Sequence, residues 1–104
     1  MSVAEIPDSY TIVRGGEAPL PPPGVAFSAS AGVDAVDAGR GVPHGKVRRA
    51  TAGGIRALGG IVRSMPERTR SGAMNVRHVE VVEGTPGAFG NVEPNPAPKA
   101  ERIR

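Results

Sequence analysis

The sequence predicts a small α+β domain: a twisted, mainly antiparallel sheet of four or five strands, one or two short helices and a Pro-rich C-terminal tail. Three observations lead there. Apolar segments of four to eight residues recur along the 104-residue chain, separated by Gly, Pro or Asp turn signals. The helix-like segments between them are too short to return a chain to a parallel neighbour. No segment repeats.

Residues 1–8 read as an extended lead-in. "SYTIVRGG" is a first strand with Tyr10, Ile12 and Val13 apolar, closed by Gly15–Gly16. "EAPLPPPG" is a loop whose three prolines hold an extended backbone, best taken as a rigid surface connector. "VAFSAS" is a second strand. In "AGVDAVDAGRG" alanine, Val33 and Val36 fall at helical spacing, with Asp34 and Asp37 outward and Gly39 as the stop. "KVRRAT" is a third strand. Its Thr51 is placed to cap a short helix over 52–59, with Ile55 and Leu58 on one face and Gly59–Gly60 at its end. Gly53 and Gly54 weaken that helix by about 1 kcal/mol each, so they are expected to let backbone approach a strand or a ligand. "GIVRSMP" is a strand and "ERTRSGA" a polar, mobile loop. "NVRHVEVVEG" is the clearest strand, with Val76 and Val79 or Val81 inward. Residues 1–84 are therefore one small domain, and 85–104 a tail that wraps the surface or is partly disordered.

Only 26 residues are large and apolar, and Gly plus Pro are as many, so the core is small. With no cysteine there is neither disulfide nor thiolate metal site. The first residues show neither a basic nor an apolar leader region, and no apolar run is long enough to cross a bilayer. A cytoplasmic protein without membrane contact is expected. The net charge of +3 is unevenly spread. Residues 40–70 hold eight basic residues against Glu67 alone, or +7, whereas the remainder holds five basic and nine acidic, or −4. Seven of the eight are Arg, the better side chain for phosphate. Such a basic middle suits a nucleic acid or an acidic protein.

Two constellations could carry chemistry. The first is His44 and His78, the only histidines, with Lys46 and Thr51. Two imidazoles can cleave RNA without metal: one takes the 2′-hydroxyl proton, the other protonates the leaving oxygen, and a cation steadies the phosphorane. Arg48, Arg49, Arg56 and Arg63 would form the phosphate-binding face. The second is Arg14 closing the first strand, Ser28 and Ser30 in the second, and Glu80 or Glu83 in the last. Metal ligation has little support, since only His78 and Glu80 share useful spacing. "GRGVPHGK" lacks the spacing and helix of a phosphate loop. No aromatics interleave the basic segment, which argues against base stacking.

"YTIVRGG", "FSAS", "PHGKVRRAT" and "RHVEV" resemble blocks of small bacterial toxin domains over residues 10–83. One branch is the barnase–EndoU–colicin–RelE-like ribonucleases. That likeness implies RNA as substrate, no cofactor, an acidic cognate inhibitor as in toxin–antitoxin pairs, and His44, Lys46, Arg48, Thr51 and His78 as site residues. The other branch is the ADP-ribosyltransferase toxins, which implies NAD with Arg14, Ser28 and Glu80. The expectation is a ribonuclease-like enzyme. The alternatives are ADP-ribosyl transfer and a non-catalytic binding protein whose basic patch grips an acidic protein or nucleic acid.

Overall fold

A computed structural model describes residues 5–104. The chain is α+β, built on one antiparallel sheet of strands β1 (Thr11–Gly15), β2 (Ala26–Gly32), β3 (Lys46–Thr51), β4 (Ile61–Ser64), β7 (His78–Val82) and β8 (Glu93–Pro94). Their order is β4-β7-β2-β1-β3-β8. A separate two-stranded ribbon pairs β5 (Glu67–Arg68) with β6 (Met74–Asn75). The sheet has six strands rather than four or five because the Pro-rich segment supplies β8, which pairs with Lys46 and Val47. The "ERTRSGA" loop likewise holds the first strand of the ribbon.

Strand alternation divides the sheet into two unequal faces. Ile12, Phe27, Ala29, Ala31, Ala50, Val62, Val79 and Val81 point to one side and build the main core with Ala52 and Ile55 of helix α2 (Ala52–Ala57). The other side has a smaller cluster of Val13, Val47, Val42 and Ala38, the last from helix α1 (Ala35–Arg40). Because α1 lies over β1 and β2, the β2–β7–β4 half of this face carries Ser28, His78, Glu80 and Arg63 instead of a core.

The helix starts follow their capping chemistry. Asp34 accepts from the Asp37 N–H, and Thr51 accepts from the Gly54 N–H. The apolar face expected for α1 is not the buried one: Val33 is 62% exposed and Val36 is also exposed, while Ala38 and Gly39 are buried. Only small residues allow α1 to lie this close, since Gly32 meets the Ala38 backbone nitrogen where a Cβ would stand. In the last long strand Val79 and Val81 are both buried, but Val76 is 66% exposed because it precedes β7 and lies in the turn after β6. Gly53 admits backbone rather than ligand: its N–H donates to the Asp8 carbonyl at 2.9 Å, and a Cβ would touch Asp8.

The segment after β8 is held by Asn95, which is buried. Its side-chain amide donates to the carbonyls of Gly39 (3.1 Å) and His44 (3.0 Å), with Val42 at 3.4 Å, and its Oδ1 accepts from the Ala97 N–H at 2.9 Å. Its backbone N–H donates to Gly45, and Ile103 donates to Arg40. One side chain thus ties the C-terminal segment to the loop that carries His44.

Candidate functional site

The loop 41–45 runs from α1 to β3 across the end of β1. Together with Arg14, Gly15, Ser28, Ala29 and His78 it encloses a cleft of about 170 Å³ on the partly uncovered face. The exposed His44 and the half-buried His78 both line it. They are 34 residues apart in sequence, and strand order brings them together: β7 pairs with β2, and β2 pairs with β1, whose Gly15 lies under the His44 ring. Gly15 is required by close approach. An added Cβ would sit 2.6 Å from His44 Nδ1 and 2.5 Å from Val42 Cγ1.

His78 is held at both ring nitrogens. Nδ1 donates to the Met65 carbonyl at 2.8 Å, and Nε2 lies 2.8 Å from Glu67 Oε2 at the start of the ribbon. The Met65 carbonyl can only accept, so Nδ1 is the donor there, and Nε2 donates to the Glu67 carboxylate only when it too carries hydrogen. Glu67 was singled out only as the lone acid of the basic segment. Its pairing with His78 follows from the ribbon folding back over β7, which sequence periodicity does not show.

Ser28 and Glu80 stand directly opposite each other on β2 and β7, and Arg63 on β4 stands opposite Glu80 on the other side. The three form a polar row beside the cleft. Arg14 borders the cleft, but its guanidinium turns away. It donates to the Ser28 carbonyl at 2.8 Å and lies 5.2 Å over the Phe27 ring, on the main-core face. Ser30 is consumed structurally, donating to the Ala38 carbonyl at 2.6 Å.

The remaining sequence candidates are dispersed. Lys46 is exposed, two residues beyond His44 at the start of β3. Thr51 is at the far end of that strand, about 17 Å away along the backbone, and its hydroxyl is occupied as the α2 cap. The four arginines do not share one patch. Arg56 is drawn to the lead-in by Asp8 at 2.7 Å and the Ile6 carbonyl at 2.6 Å. Arg49 pairs with Glu93 at 2.8 Å, and Arg48 reaches the Gly90 carbonyl. Arg63 lies on β4, separated from β3 by three strands, or about 19 Å.

Behind the cleft, Asp37 of α1 receives Arg77 Nε and Nη2 at 3.1 and 3.0 Å, fixing α1 to the residue before His78. Burial pushes the Asp37 carboxyl up. The Arg77 hydrogen bonds, the Val33 N–H and the charges of Arg77 and Arg40 outweigh it and hold the group below the usual carboxylate range. Arg40 is raised by its hydrogen bond to Glu101.

Among the described residues no three His, Asp or Glu side chains are grouped to hold a metal ion, and no helix is long and apolar enough to cross a membrane. Comparison of the chain with protein-family models, curated proteins and solved structures gave no match.

Proposed function

We propose that the chain is a small toxin-like enzyme that cleaves RNA by metal-independent acid–base chemistry in the cleft between His44 and His78. The observation that carries this reading is the shared cleft: the only two imidazoles in the chain both line it, with Ser28 beside them. His44, exposed and seated on Gly15, takes the proton from a ribose 2′-hydroxyl. The 2′-oxygen attacks phosphorus and the P–O5′ bond breaks, leaving a 2′,3′-cyclic phosphate. His78 gives its Nε2 proton to the departing 5′-oxygen. Glu67 Oε2 lies 2.8 Å from that nitrogen, and the substrate takes its place for the transfer. Lys46 follows the His44 loop in sequence but does not line the cleft, and strand alternation turns it to the face opposite Val47, so the phosphorane charge is not assigned to it. Thr51 and the dispersed arginines are not part of this centre. The reading carries with it a cytoplasmic location and an acidic cognate inhibitor.

The test is cleavage of a labelled RNA by wild type, His44→Ala and His78→Ala, with circular dichroism to check folding. Each variant is expected to lose at least about a hundredfold in rate, the usual contribution of a general acid or base. Full activity in His44→Ala defeats the proposal. A second reading, ADP-ribosyl transfer from NAD, draws on the Ser28–Glu80 pair. It ranks behind because the Arg14 guanidinium lies on the face opposite Glu80, so the three do not converge on one ligand. Under that reading Glu80→Gln abolishes NAD consumption and His44→Ala does not.

A further inference from the structure

The cleft does not end at His78. Gly41 and Pro43 are shared with a second hollow of about 210 Å³, whose other walls include Glu67, Arg68 and Arg104. Pro43 and Arg104 are shared in turn with a third of about 370 Å³, where Lys99 and Arg102 are added. Together they form one groove that runs from the two histidines around the Pro43 loop to the C-terminal segment.

Its charge is one-sided. Arg68, Lys99, Arg102 and Arg104 line it, and the one side-chain carboxylate in its walls, Glu67, already faces His78. The nearby Glu101 is paired with Arg40. Arg68 and Arg102 bond backbone carbonyls, of Gly72 and Ala97, which leave their charges uncompensated. Lys99 and Arg104 are exposed and, among the described residues, make no ion pair. A continuous, cationic, mostly non-aromatic groove suits a linear polyanion held by its backbone rather than by its bases.

We infer that this groove is an extended subsite for the phosphate backbone of a single-stranded RNA, with Lys99, Arg68, Arg102 and Arg104 contacting phosphates beyond the scissile one. The inference rests on the ribonuclease reading of the cleft. It assigns the C-terminal segment a binding role that its proline content conceals.

The test compares Lys99→Gln/Arg104→Gln with wild type in two assays. The first is fluorescence anisotropy with a labelled, 2′-O-methylated octaribonucleotide, which binds without being cleaved. Removing two phosphate contacts lowers the slope of log affinity against log salt by about 1.4, so the affinity gap narrows about sevenfold between 50 and 200 mM salt. The second assay is turnover of a ribodinucleotide, too short to enter the groove, which is expected to be unchanged. Equal octamer affinity and equal salt slope overturn the groove whatever the dinucleotide does. Absent dinucleotide turnover in both proteins defeats the ribonuclease reading instead, while anisotropy still reports on the groove. Octamer binding unmeasurable for wild type at 50 mM salt, with capture of an acidic protein on the same surface, also overturns the RNA subsite.

Discussion

Replacing Asn95 isolates the contact that fastens the C-terminal segment to the His44 loop. Asn95→Ala removes three well-formed hydrogen bonds, to Gly39, His44 and Ala97. The buried Ala97 N–H is then left without a partner, and the Gly39 carbonyl keeps only the Val42 N–H. At about 1 kcal/mol per lost bond the cost is about 3 kcal/mol, less whatever water recovers at the exposed His44. For a chain of this size a loss of about 3 kcal/mol lowers Tm by about 12–24 °C. Asn95→Asp keeps the shape and the Oδ1 acceptor but loses the amide donors, placing a carboxylate against three carbonyl oxygens. It is therefore expected to melt below Asn95→Ala at pH 7. Thermal circular dichroism with a parallel urea titration measures both. A drop under about 3 °C for the alanine variant, or an aspartate variant more stable than it, refutes the claim that the amide hydrogen bonds, rather than side-chain volume, hold this segment.

Gly15→Ala should displace the His44 ring, since the new Cβ overlaps Nδ1 and the Val42 methyl. RNA cleavage falls more than tenfold while far-UV circular dichroism is retained, and normal turnover contradicts the cleft geometry. Asp37 supplies the pH dependence. Its folded carboxyl lies below the ordinary value of 3.8, so its contribution is present above that pH and is lost as pH falls through the lower folded value. Asp37→Asn is expected to be less stable than wild type at pH 7, with the two urea midpoints converging as the pH is lowered well below 3.8. A constant difference across that range contradicts the assignment.

The α+β class and the antiparallel sheet were legible because strand alternation and turn residues act locally. The Thr51 cap was visible for the same reason, whereas Asp34, read as an outward residue of the helix, is its cap. Burial was harder. Val33 and Val36 look like a core face by spacing, yet α1 buries Ala38 and Gly39 because only small residues fit against Gly32. The site was partly legible: His44 and His78 were named from residue type and Ser28 only for the alternative NAD site, and their meeting depends on strand order, which no local pattern encodes. Glu67 and Asn95 were not recognised as site neighbours, since each acts through a contact between distant segments, β5 on β7 and the C-terminal segment on the 39–45 loop. The eight cations of residues 40–70 read as one patch in sequence. Folding spreads them over both faces and pairs several with the acidic ends of the chain.

The most direct test of the central claim is ³¹P NMR of a ribodinucleoside monophosphate incubated with the protein, beside the same dinucleotide lacking the 2′-hydroxyl. If His44 activates that hydroxyl, the ribodinucleotide is converted to a 2′,3′-cyclic phosphate, the deoxy analogue is untouched, and His44→Ala forms no cyclic product. Cleavage of the deoxy analogue, or cyclic phosphate formed at the wild-type rate by His44→Ala, contradicts the account.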